Sequence, residues 1–273
     1  MGYVEGNNLV VETLSSGGHF ERFSDVAHQA VSRNPDVIVA GEIPLIVALR
    51  SATGTIPIVS FSADPLDTGL ATSLAHRPGD NLTGISEGGS ELWGKRLQIL
   101  KEAIPSASRI GLLAPPAVRE LRLPSLQRLR ESAAALGVSL IEMYPSEATA
   151  AGIERSFAAL AEQRPDAVLI GAGALAAHSL LIVNLAERYR LPAMYGLRGP
   201  AEAGGLMAYA PDFAELGRQL ANDVRQILDG TKPGDIPIYQ ATKFELVINL
   251  KTADALGLML PRSLLLLADE VIE

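Results

Sequence analysis

Cysteine is absent from this 273-residue chain, so it carries no disulfide framework, no thiolate metal site and no cysteine nucleophile. That excludes two-lobed amino-acid racemases working with a pair of thiols, which would share the architecture argued below. Basic runs are missing as well: 23 Lys and Arg stand against 31 Asp and Glu, for a formal net charge of −8. With no Lys/Arg stripe to neutralise phosphates, nucleic acid is not an expected partner. The apolar runs, residues 264–268 among the longest, are far too short to span a bilayer, so no direct membrane insertion is expected. No basic-then-apolar leader precedes Gly2, which is followed by Tyr3, Glu5, Asn7 and Asn8. If the protein is exported, its leader lies outside this chain.

What remains is a globular composition, 48% hydrophobic and 20% charged, with Pro and Gly spread along the chain instead of clustered. The length exceeds what one core usually organises and favours two units of ~130 residues. Short apolar, β-branched runs alternate with amphipathic stretches, the pattern of βαβ units and a parallel sheet. The expected strands are residues 9–14, 36–40, 57–61, 82–86, 109–114, 139–144, 167–170, 193–196 and 206–209. Residues 236–249 read as one long strand-like run, with closing helices over 252–257 and 263–272. A short helix is expected from Asp64-Pro65 through Leu74. Asn34-Pro35-Asp36-Val37-Ile38-Val39 is echoed by Arg164-Pro165-Asp166-Ala167-Val168-Leu169, each copy after a helix and before a Gly-rich turn. The fold class expected is α/β, with two doubly wound parallel-sheet lobes.

In open parallel sheets, ligands sit beyond the carboxyl ends of the strands. The candidate ligand-binding residues are therefore those that follow strands. In the first lobe they are Glu42 and Ile43, Ser62 and Asp64, and Ser86 and Glu87; in the second they are Pro115, Gly173 and Arg198. Tyr195 and Tyr209 each end a short apolar strand and offer a ring with a hydroxyl. Glu42, Asp64 and Glu87 with Arg198 would suit a zwitterion or a polar aromatic. Asp64 can instead cap the helix after it, and Trp93, spaced with Leu92, Leu97 and Leu100, can be core or cleft lining.

Catalytic motifs fare less well. Gly84-Ile85-Ser86-Glu87-Gly88 matches the G-x-S-x-G elbow of a hydrolase. Gly89 and Ser90 separate it from the helix that should follow at once, and the last histidine, His178, is badly placed for a triad, so a glycine-rich hinge is the preferred reading. The other histidines, His19, His28 and His76, share no metal-ligand spacing with it or one another, and no phosphate-binding loop occurs. No enzyme activity, cofactor or metal is expected.

Several stretches together resemble the ABC-transporter substrate-binding proteins of the tryptophan/tyrosine-binding type. They are Gly2-Tyr3-Val4-Glu5-Gly6-Asn7-Asn8-Leu9, Asp64-Pro65 with Gly69-Leu70, Arg77-Pro78-Gly79 with Asn81-Leu82-Thr83-Gly84, Ala203-Gly204-Gly205-Leu206-Met207 with Tyr209, and the run from Thr242 to Ala253. The resemblance implies a type I periplasmic binding protein fold, lobes joined by a three-crossover hinge, a small ligand held between them, and a periplasmic or lipid-anchored location. It also implies partnership with a membrane permease and its separate ATPase. The crossings are expected near Gly88, Pro211 and Pro233, giving residues 1–88 with 211–232 as one lobe and 89–210 with 233–273 as the other. Relatives carry a strand and helix ahead of the Gly2 stretch, so the chain reads as N-terminally short, with an unpaired strand edge in the first lobe. At Glu42-Ile43-Pro44 and Gly171-Ala172-Gly173-Ala174 the chain departs from the family's usual small hydroxyl and acidic residues. The alternatives are an effector-binding sensor domain and, more weakly, a hydrolase using Ser86.

Overall fold

The computed structural model describes residues 2–62, 65–75 and 80–273. The chain runs through α1 (Phe23–Ser32), β1 (Ile38–Ala40), α2 (Ile43–Ala52), β2 (Ile58–Ser62), β3 (Leu82–Ser86), α3 (Gly89–Ala103), β4 (Arg109–Leu113), α4 (Ala117–Glu120), α5 (Pro124–Ala135), β5 (Ser139–Met143) and α6 (Ala150–Glu162). It continues through β6 (Ala167–Ile170), α7 (Ser179–Arg188), β7 (Ala193–Tyr195), α8 (Arg198–Glu202), β8 (Met207–Pro211), α9 (Phe213–Leu228), β9 (Tyr239–Gln240), β10 (Phe244–Asn249), α10 (Leu250–Leu256), α11 (Arg262–Leu267) and β11 (Glu270–Ile272). Two compact units result, Met1–Gly88 with Phe213–Ala241, and Gly89–Asp212 with Thr242–Glu273.

Unit 1 is a parallel sheet of order β1-β2-β3-β9. Alternation along β2 builds its two cores: Ile58 packs with Ala27 of α1 and Ile46 and Leu49 of α2, while Val59 packs with Ile227 of α9. Gly84 lies where β3 leaves no room for a side chain against β2. Its φ is +139°, and a Cβ there would overlap the Ser60 backbone in β2, so only glycine fits.

Unit 2 has the order β11-β10-β8-β7-β6-β4-β5. One face is covered by α3 and α5, around Leu97, Leu100, Leu126 and Leu129, and the other by α6 and α7, around Ile153, Phe157, Leu160 and Ile182. Strand β10 runs antiparallel to β8. The chain leaves this unit past the carboxyl end of β8 and re-enters beside it, with the Asp212 N–H donating to the Lys243 carbonyl at 3.2 Å, so β10 has to run back down the sheet. The echoed segments also have matching backbones: Asn34 (φ 48°) and Arg164 (φ 51°) both take the left-handed conformation that stops a helix ahead of a strand.

Five sequence expectations are corrected. Residues 9–14 form no strand beyond an isolated bridge between Glu5 and Leu9, and Val10 and Val11 are exposed; β propensity without a neighbour to pair with leaves a segment merely extended. The run 236–249 is two strands, since β9 pairs with β3 in unit 1 and β10 with β8 in unit 2. The last crossing therefore falls after Ala241, not near Pro233, and Ile236 is buried in unit 1, where its carbonyl accepts from Thr83 Oγ1. The closing helix stops at Leu267, and Glu270–Ile272 becomes a strand beside β10. Residues 65–75 form turns and bends where a helix was expected, held by bonds such as Ala71 N–H to the Pro65 carbonyl at 2.9 Å.

Candidate functional site

Three strands of unit 1 end side by side. Ser62 and Ser86 are register partners, Gln240 of β9 lies beside Ser86, and Glu42 follows β1, whose Ala40 pairs with Ser60. Ser62 is 1% exposed, and among the described residues its hydroxyl has no hydrogen-bond partner. A buried hydroxyl without a partner costs about 1–3 kcal/mol, which marks this edge as built for something other than stability. Glu42 stands at the N-cap of α2, half-buried, and its side chain makes no capping bond. Pro44 at the start of this helix supplies no N–H for it. Burial, with the negative charge of Glu87 added, pushes the Glu42 carboxyl up to about 7. Glu87 is half-buried and fixed by its N–H to the Ser62 carbonyl at 2.9 Å. Ile43 opens α2 and packs into the α1/α2 core. Asp64 lies outside the described residues.

Ser86 is no nucleophile elbow. It is the last residue of β3, 1% exposed, its backbone is not in the left-handed region, and its Oγ accepts from the Gly88 N–H at 3.3 Å. An elbow serine is held exposed on a strained turn.

The carboxyl edge of unit 2 is aromatic, with a buried cation beneath it. Trp93, in the first part of α3, is half-buried and meets the ends of β4 and β6: a Cβ on Gly171 would come within 3.1 Å of its ring, 3.2 Å of Pro115 Cδ and 3.3 Å of Ala114 Cα. Arg96, one turn on, is 5% exposed; its Nε donates to the Tyr209 carbonyl at 2.7 Å, one Nη to the Gly196 carbonyl at 3.4 Å, and its guanidinium lies 5.9 Å from the Trp93 ring centre. Tyr209, half-buried, stacks on Phe244 of the neighbouring strand at 5.8 Å. Arg96 thus ties the ends of β7 and β8 to the helix that presents Trp93.

The remaining second-lobe candidates divide. Pro115 is buried at the end of β4, and Gly173 is exposed with φ +66° just after β6, so both belong to this edge. Tyr195 points into the α7/α8 side of the core, 2% exposed, beside the small pocket lined by Ile170, Leu175 and Pro200, and its hydroxyl has no partner among the described residues. Arg198 opens α8 and is held by Glu202 at 2.6 Å, Glu245 at 3.0 Å and Glu270, which together raise its pKa. Its donors are engaged within unit 2 itself. Arg96 is the residue missed by sequence reasoning, although its spacing of four from both Leu92 and Leu100 put it on the buried face of α3.

Two doubly wound α/β units crossed three times by one chain, each with the specialised residues of its sheet at the carboxyl edge, define the class of the type I periplasmic binding proteins. The family model described as "ABC transporter substrate binding protein" matches residues 1–272, and the chain belongs to that family. This is a family of substrate-binding proteins, not of enzymes. A tyrosine-binding protein of Clostridioides difficile is 26% identical over 259 residues, 94% of this chain and 73% of that protein. Among solved structures, a conserved domain protein from Vibrio cholerae is 31% identical, with 99% of this chain and 90% of that one covered and a TM-score of 0.85. The ABC domain from Streptococcus pneumonia in complex with L-Trp shares the fold, at 24% identity, 95% and 88% coverage and a TM-score of 0.81. No helix among the described residues is long and apolar enough to cross a membrane.

Proposed function

We propose that this chain binds an amino-acid-like ligand with an aromatic side chain and hands it to the membrane permease of an ABC uptake transporter, powered by a separate ATPase, on the extracytoplasmic side of the membrane. The observation that carries the ligand class is the carboxyl edge of unit 2, where buried Arg96 joins Trp93 to Tyr209 and Tyr209 stacks on Phe244. Flat rings offer a ligand ring stacking partners worth about 0.5–1.5 kcal/mol each beyond simple burial. Relatives named for tyrosine binding and solved with L-Trp support the same class.

Isothermal calorimetry against the twenty amino acids tests the reading. L-Tyr, L-Trp or L-Phe should bind with micromolar or tighter affinity, and the Trp93→Ala and Tyr209→Ala variants should each weaken that binding by tenfold or more. Binding confined to sugars or aliphatic amino acids would overturn it.

A further inference from the structure

We propose that Arg119, seated over the ring of Tyr144, anchors the carboxylate of the ligand. This deepens the proposed function and rests on it for the presence of an aromatic amino acid at the unit 2 edge.

The sheet brings the two side chains together. Leu113 of β4 and Met143 of β5 are register partners, and the Ala114 N–H still donates to the Met143 carbonyl at 3.2 Å, so the segments leaving these strands emerge side by side. One runs through Pro115 and Pro116 into α4, which carries Arg119, and the other begins with Tyr144. The guanidinium carbon of Arg119 lies 4.8 Å from the centre of the Tyr144 ring, within cation–π range. The same segment touches the aromatic edge, because Pro115 and the Trp93 ring close on Gly171 from within 3.2 Å of where its Cβ would stand. From Pro115 one turn leads to Arg119, with the Val118 N–H on the Pro115 carbonyl at 3.1 Å and the Arg119 N–H on the Pro116 carbonyl at 3.0 Å. A helical turn rises about 5.4 Å, of the order of the reach from an aromatic ring to its own α-carboxylate. Trp93, Val118, Tyr144 and Tyr209 all rest on one core.

Charge then decides what Arg119 can hold. The nearby carboxylate is fully engaged: Glu142 accepts from Arg130 Nε and Nη at 2.7 Å each and from the Tyr144 hydroxyl at 2.7 Å, and the Arg130 bonds hold its carboxyl below the usual carboxylate range. Arg119 and Arg130 are the charged groups that act on Glu142, and these three are the ones that act on Tyr144. Two cations thus face one anion, a local excess of positive charge in a chain of net charge −8. Arg119 is exposed, and among the described residues nothing accepts from its guanidinium. The ring contact fixes the group without using its N–H donors, and the free fork matches the two oxygens of a carboxylate.

The other cations of this edge are committed elsewhere. Arg96 donates to the Tyr209 and Gly196 carbonyls, and Arg198 is paired with Glu202, Glu245 and Glu270. Arg122, in the turn after α4, makes no ring contact among the described residues that would hold it in place.

The experiment is calorimetry of the whole chain with L-tyrosine, with tyramine, which lacks the carboxylate, and with 3-(4-hydroxyphenyl)propionate, which keeps it and lacks the ammonium. Wild type should bind tyrosine at least tenfold more tightly than tyramine. Arg119→Gln should remove that preference, weakening tyrosine and the propionate by tenfold or more and leaving tyramine within twofold, and Arg119→Lys should recover only part of it. Added sodium chloride should weaken tyrosine binding to wild type and have less effect on Arg119→Gln. Tyr144→Leu, which removes the platform, should weaken tyrosine several-fold and spare tyramine, a selectivity that general damage to the fold would not produce. Tyrosine affinity unchanged in Arg119→Gln, tyramine binding to wild type as tightly as tyrosine, or equal losses for tyrosine and tyramine in the variant would overturn the anchor and leave the proposed function standing. Failure of all three probes, and of L-tryptophan and L-phenylalanine, to bind wild type would overturn both.

Discussion

Gln219 and Asp223 lie one turn apart on α9, and the Gln219 amide donates to Asp223 Oδ1 at 3.0 Å, while Oδ2 of this fully buried carboxyl has no partner among the described residues. The aspartate sits in the apolar stripe of the helix with Leu216 and Ile227. Burial raises its pKa from 3.8 to about 6 against the smaller opposing effect of the Gln219 bond. The folded state holds the proton more tightly than the unfolded chain, so this group's effect on stability is most favourable below pH 3.8 and is lost as pH rises through about 6.

At pH 8 the charged form of Asp223 costs about 3 kcal/mol, at about 1.4 kcal/mol per pH unit. Asp223→Asn should remove the fall in stability between pH 4 and 6. Because its own amide stays buried without a second partner, the net gain at pH 8 should be about 1–2 kcal/mol. Urea unfolding of both proteins across pH 4–8 reads this. A wild-type stability that does not fall over that window would show the carboxyl to be solvated.

Gly84→Ala should prevent unit 1 from folding, since the added methyl meets the Ser60 backbone and not a movable side chain. Gly217→Ala is the contrast. That glycine lies exposed within α9 with nothing near its missing Cβ, and the change should stabilise by about 0.5–1 kcal/mol. Thermal unfolding with limited proteolysis separates the two outcomes.

Trp93 is the only tryptophan, so its fluorescence reports on the unit 2 edge without labelling. Ligand binding should shift its emission. Gly171→Ala, which presses on the ring, Pro115 and the Ala114 backbone, should weaken binding several-fold while the unfolding midpoint changes by a few degrees at most. Unchanged emission at saturating ligand would remove Trp93 from the contact surface.

Arg198→Met breaks three ion pairs, one within α8 to Glu202 and two that link α8 to β10 and β11. Networks of this exposure contribute about 1–2 kcal/mol in all. The variant should lose that much stability and keep ligand affinity within twofold. A tenfold loss of affinity would return Arg198 to the ligand.

The sequence by itself determined the α/β class, most strands to within a residue or two, and the strand ends as the place to look for function, because these follow from local periodicity and from where polar residues interrupt it. Even the odd residues on buried faces, Arg96 between Leu92 and Leu100 and Asp223 between Leu216 and Ile227, were marked by their helical spacing. Tertiary structure alone decided which neighbour each segment would find. Residues 9–14 have the composition of a strand but, among the described residues, no pairing beyond the Glu5–Leu9 bridge, while residues 236–249 look continuous and divide because one half pairs with β3 and the other with β8. It also set the chemistry of Glu42, since a carboxyl's proton affinity depends on burial and on a charge from Glu87, 45 residues along the chain, and neither is a property of local sequence.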